Sequence, residues 1–225
     1  TQSLLISHWS ADGALNLNSG VLDAKKAVMY LAWDGGGTYT QSGGDAWLYG
    51  ISGRNKNNGS ADDKVNARVL LNGGTLHLGS GGLQYIYSDS VNGSRFQFGN
   101  ATISAEADWI TSGGSGVIAL TATEEGTATT IDTNGHNVTF NHQLGGGGNL
   151  TKTGAGTLTF ADTVTAGKVV LEEGETIVAA DKQLIIGATM VINGTLTLNG
   201  TLAADSLAHL DAQEGSGYSD RLSRS

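Results

Sequence analysis

The sequence predicts an all-β protein, a parallel β-helix of about eight rungs. Three observations carry that reading: abundant glycine with no proline or cysteine, β-prone runs alternating with tight turns, and one turn-and-strand unit that recurs along the chain. The 225 residues include 35 glycines where average usage gives roughly 16, and no proline where it gives roughly 11. No collagen period accompanies the glycines, and β-prone triplets sit between them. They therefore mark turns and not disorder.

Composition also excludes several classes. With 39% hydrophobic residues the chain can bury a continuous core over one domain or two. Zero cysteine removes disulfides and thiolate metal sites together. That fits the cytosol, and equally an exported chain that crosses a membrane unfolded. The 21 acidic against 12 basic residues give a net charge of −9, which repels phosphate backbones and anionic lipid and argues against nucleic acid as a partner. No apolar run reaches the roughly 18 residues of a membrane span. The start, Thr1 to Ser7, lacks the charged residues and long apolar stretch of a signal peptide, so the sequence reads as a mature chain or an excised fragment.

Taken in order, residues 1–52 carry short alternating runs at Leu4–Ser7, Ala14–Asn18, Val28–Trp33 and Trp47–Ile51, each closed by glycine or Asp-Gly turn signals. From Gly53 to Asn66 apolar residues almost vanish, which predicts a protruding loop. Strand-like runs resume at Val69, Thr75–Leu78, Leu83–Tyr87, Phe96–Phe98 and Ala101–Ser104, and continue with little interruption to Leu198. No segment before Ala203 holds a helical period over three turns.

The recurring unit is an apolar run, a turn of Asn, Gly or Ser, then a short polar residue and an apolar one. Its copies end at Leu22, Ala46, Leu76, Ile103, Val138, Leu158, Ile177 and Leu196, at intervals of 24, 30, 27, 35, 20, 19 and 19 residues. Intervals that converge on about 20 and otherwise only lengthen are those of a coiled solenoid, whose coils have a minimum circumference and accept insertions at corners. Each strand then pairs with its counterpart one rung away, about 4.8 Å along the axis. The copy-ending residues Leu76, Ile103, Val138, Leu158, Ile177 and Leu196 would form an inward apolar column.

This divides the chain into irregular, loop-bearing rungs over residues 1–125, regular rungs over 126–203, and a cap or flexible tail over 204–225. In the tail, Asp205 as an N-cap with Leu207 and Leu210 three apart allows a short C-terminal capping helix. Uncapped ends would expose strand edges through which copies can associate.

Asn149-Leu-Thr-Lys-Thr-Gly-Ala-Gly-Thr-Leu-Thr-Phe160 resembles the opening of the autotransporter-associated β-strand repeat, also called the passenger-associated transport repeat. The residues that carry the resemblance are Leu150, Thr151, Lys152, Gly154, Gly156, Thr157 and Leu158. The stretches around Gly37–Gly44, Leu70–Leu78 and Thr130–Phe140 also look like secreted bacterial proteins built around such repeats. After Phe160 the chain departs from the family, with Ala161-Asp-Thr-Val-Thr-Ala-Gly167 in place of the usual Ser-Gly-x-Asn-x-Tyr-x-Gly. The resemblance implies a right-handed β-helix stalk or passenger on a Gram-negative surface, exported through the periplasm. In that role it is structural or adhesive, with no catalytic residues and no cofactor to carry over.

Binding residues, if exterior, are sought among the aromatics, which concentrate before residue 110. Trp33, Tyr39, Trp47 and Tyr49 are the candidates for a platform on which sugar rings or a host-surface ligand would stack. The competing reading is that wide early rungs need bulky filler. The carboxylates at Asp62–Asp63, Glu124–Glu125 and Glu172–Glu175 suit solvated corners better than a glycosidase pair, and the five histidines lack metal-ligand spacing, so neither catalytic nor metal residues are assigned. A polysaccharide-binding or polysaccharide-degrading β-helix is the alternative.

Overall fold

A computed structural model describes residues 2–7, 12–31, 36–53, 67–86 and 95–204, together with the backbone of 209–212. Among these residues every regular element is a β-strand, and every strand pairing is parallel. Partners lie from 18 residues apart, as for Leu158 and Thr176, to 32, as for Gly50 and Gly82. The chain therefore advances and re-pairs with itself at each circuit, a solenoid-like all-β fold.

Three parallel ladders run along it. The first contains Phe96–Phe98, Ile118–Leu120, Leu144–Gly145, Val164–Ala166, Gln183–Ile186 and Thr201–Ala204. The second contains Thr102–Ala105, Thr129–Asp132, Leu150–Thr153, Val169–Leu171, Thr189–Ile192 and His209–Ala212. A separate five-stranded sheet forms the third: Trp109–Ile110, Asn137–Phe140, Thr157–Phe160, Glu175–Val178 and Thr195–Leu198. Upstream, Gly37–Ser52 and Ala67–Ile86 are single long strands that keep pairing as they round the corners, with register shifts at Gln41/Ser42, Ser42/Asp45 and Leu48/Gly50.

Alternation along each strand sends one set of side chains inward. On the first ladder Leu15, Tyr39, Val69, Phe96, Ile118, Leu144, Val164 and Leu184 are successive register partners. On the third, Trp109 meets Phe140 edge to face and Phe140 meets Phe160 at a tilt, at centroid separations of 5.5 and 6.5 Å. Coils with no core of their own thus share one continuous apolar column.

Three expectations change. Ile103 pairs with Ile131, not with the coil position of Val138, which lies on the third ladder opposite Trp109 and Leu158. The 35-residue interval had crossed from one ladder to another, because the turn-then-apolar unit occurs at two corners of each coil. Ile177 faces outward and pairs with Thr159; the buried partner of Leu158 is Thr176. The C-terminal helix gives way at His209–Ala212 to a strand paired with Thr189–Ile192, since an open parallel edge offers backbone bonds that a short helix with two apolar residues cannot match. Residues 205–208 and 213–225 lie outside the described residues.

Candidate functional site

Of the four aromatic candidates, Trp33 lies outside the described residues. Tyr39 is fully buried within the first ladder, where its hydroxyl donates to Gln41 Oε1 at 2.9 Å. Gln41 is buried as well, and its amide donates to the carbonyls of Gly44 and Thr75 at 3.0 and 2.9 Å. Burial pushes the Tyr39 phenol well above the ordinary tyrosine range. Tyr39 therefore cannot offer a ring to a ligand; it is the bulky filler of a wide coil. Alternation predicts that Tyr39 and Gln41 share a face, but a polar and aromatic pair does not say which face.

Trp47 and Tyr49 are half-buried, and both follow Ala46 on the strand Gly37–Ser52. Trp47 stands on the outer face of the second ladder, in register between Asp23 and His77. Its ring stacks on the His77 imidazole at 3.6 Å with an interplanar angle of 1°. From the other neighbouring strand, the Lys25 ammonium sits 4.2 Å from the indole centroid. His77 Nδ1 lies 2.8 Å from Glu106 Oε1, and its Nε2 lies 3.8 Å from Asp45 Oδ1. The outcome is a cation, two stacked rings and two carboxylates, drawn from three adjacent strands and from Glu106 just past a fourth, Thr102–Ala105. A sugar ring needs an open aromatic face, and neighbours already cover both faces of Trp47.

The motif coil places its residues differently. Leu150, Lys152 and Leu158 point inward, whereas Thr151 and Thr157 face out. Lys152 occupies a position in the second ladder's inward column that Ile131 holds one coil earlier and Leu171 one coil later. It is fully buried. Its Nζ donates to Thr133 Oγ1 at 3.0 Å, to the Gly156 carbonyl at 3.0 Å, to the Glu173 carbonyl at 2.6 Å and to the Gly154 carbonyl. Burial draws its pKa below the ordinary lysine value, while the charges of Glu173 and Asp132 act in the opposite direction.

Gly154 has φ +79°, and a Cβ there would meet Asp132 Oδ1 and the Asn134 amide. At Gly156 a Cβ would collide with the His136 backbone. The corner thus needs both glycines of the motif, one for its dihedral and one for close approach. Sequence reasoning marked Lys152 as a motif residue but not as buried; the signal was its place two residues after Leu150 in an alternating strand.

Other polar groups are corner fittings. Asn149 donates to the Thr127 carbonyl at 2.9 Å and accepts from the Lys168 amide at 3.0 Å, joining three coils. Asp108 accepts from the Asn137 amide at 2.8 Å, and this bond, then the Asn137 side chain and the nearby His136, hold its carboxyl below the usual range. Buried His142 lies 3.1 Å from the Gly113 carbonyl through Nε2 and 2.9 Å from Thr111 Oγ1 through Nδ1, so Nε2 carries a proton. Glu124, Glu125, Glu172 and Glu173 are exposed, and Asp62, Asp63 and Lys64 lie outside the described residues. Among the described residues no group of three or more His, Cys, Asp or Glu is placed to hold a metal ion, and no helix is long and apolar enough to cross a membrane.

Comparisons with protein-family models, with curated proteins and with solved structures gave no match.

Proposed function

We propose that this chain is a non-enzymatic structural or adhesive segment of a secreted or surface-displayed bacterial protein. In this reading it is a right-handed parallel β-helix of about eight coils, similar to an autotransporter passenger and exported through the periplasm of a Gram-negative cell. The observation that carries the proposal is how the motif residues are used. Leu150, Lys152, Gly154, Gly156 and Leu158 are all spent on packing or on closing one corner, as expected of a repeat selected for architecture. The covered faces of Trp47 weigh against the carbohydrate-platform alternative.

The test is export. Fused ahead of an outer-membrane β-barrel in a Gram-negative host, the chain is expected to reach the cell surface folded and resistant to added protease. Retention in the periplasm would overturn the export reading. Release of reducing ends or of unsaturated uronate from acidic or neutral glycans by the purified chain would overturn the non-enzymatic one.

A further inference from the structure

The Lys152 corner has the chemistry of a cation site. Its four oxygens are a hydroxyl and three backbone carbonyls, all uncharged, contributed by three successive circuits of the chain: Thr133, then Gly154 and Gly156, then Glu173. The ammonium has three N–H groups for these four acceptors, so the oxygens surround the charge as a coordination shell does. Rings of carbonyl and hydroxyl oxygens in a buried setting are what hard monovalent cations use to replace their water. Packing alone does not demand a lysine here, because Ile131 and Leu171 fill the same column on either side. In this coil the Gly154, Gly156 and Glu173 carbonyls all meet at one point, the Lys152 ammonium. Gly174, at φ +69°, leaves the space open: a Cβ there would stand 2.5 Å from both the Gly154 oxygen and Lys152 Nζ.

We propose that the Thr133, Gly154, Gly156 and Glu173 oxygens form a monovalent-cation cage, selective for ammonium-sized ions, that the chain fills with its own Lys152 ammonium. The side chain serves as a tethered ion that locks three coils together. Removing the tether leaves a site for a free cation of that size. This inference rests on the corner geometry and is independent of the export reading.

The experiment uses the full chain carrying Lys152→Ala. Thermal unfolding is followed at constant ionic strength in the chlorides of sodium, potassium, ammonium, n-propylammonium and tetramethylammonium. The variant is expected to melt lower than the parent by about 5 °C or more in sodium, since about 1 kcal/mol moves a domain of this size by roughly 2–4 °C. Ammonium, n-propylammonium and potassium are expected to raise its midpoint saturably, as a ligand of the native state does. Tetramethylammonium, which has no N–H and is too large, is expected to leave the midpoint unchanged, and the parent is expected to respond to none of the five.

An equal midpoint for the variant in every salt would overturn the proposal. So would a Lys152→Met variant as stable as the parent, which would mean that the oxygens need no cation. Should Lys152→Ala fail to fold in sodium, folding restored by ammonium or n-propylammonium supports the cage. If it folds in no salt, the parent decides: with ¹⁵N-lysine, the Lys152 ammonium protons are expected to exchange with water far more slowly than those of exposed Lys25. Equal exchange would overturn the proposal.

Discussion

Up to Ile86 the chain rounds its corners inside strands of 16 and 20 residues, while from Phe96 onward every strand among the described residues has only two to four. The long strands of the first half keep their pairing at the bends by shifting register, and their polar residues gather into networks within and upon the sheet. Tyr39 and Gln41 bond to each other inside, and Lys25, Trp47, His77 and Glu106 stack along the outside. In the second half the backbone turns sharply between strands, and single side chains reach across coils to close the corner, as Asn149 and Lys152 do. Wide coils therefore tolerate insertions because their order is spread over cross-strand contacts. Narrow coils concentrate it in a few corner residues.

That contrast predicts where the molecule is brittle. The largest loss is expected for Phe160→Ala, which empties a fully buried site beside Phe140 and costs about 3–5 kcal/mol in urea unfolding. Gly154→Ala is expected next, at about 1–3 kcal/mol, because φ +79° strains any other residue and the new Cβ meets Asp132. Trp47→Ala removes a stack and a cation–π contact from the outer face of the wide half, and about 0.5–2 kcal/mol is expected from the same assay. A loss at Trp47 larger than that at the Gly154 corner would erase the distinction between the halves.

The smallest effect is one of pH. The Asp108 carboxyl has a folded pKa below its unfolded value, so its contribution is fully present above about pH 4, the ordinary carboxylate value, and fades as the pH falls through the folded pKa. The difference in melting midpoint between the parent and Asp108→Ala is therefore expected to be largest near neutral pH and to shrink in acid. A difference that grows on acidification would contradict the Asn137 bond as its source.

Much of the architecture was legible because inward residues of a solenoid must recur. Leu22, Ala46, Leu76 and Ile103 are successive register partners, as their spacing predicts. The spacing loses the ladder after Ile103 for a physical reason: Asn-Gly and Gly-Gly turns stand at more than one corner, and turn spacing does not tell corners apart. At Ile177 hydrophobicity points to the core but the pleat places Thr176 inside, with its hydroxyl unpaired among the described residues. The aromatic candidates were ambiguous for a related reason. Tyr39 fills the core and Trp47 caps the exterior, though they are an even eight positions apart in one strand, because the strand rounds a corner and shifts register between them.

The register at Ile177 also tests the whole account most directly. The chain has no cysteine, so introduced pairs report without background. Parallel neighbours about 4.8 Å apart lie within disulfide range. The double variant Thr159→Cys with Ile177→Cys places both thiols outward on adjacent strands, and rapid, near-complete crosslinking under mild oxidation is expected. Leu158→Cys with Ile177→Cys, on opposite faces of the sheet, is expected to stay reduced. Crosslinking of the second pair and not the first would contradict the parallel register on which the solenoid, its corners and the Lys152 cage all rest.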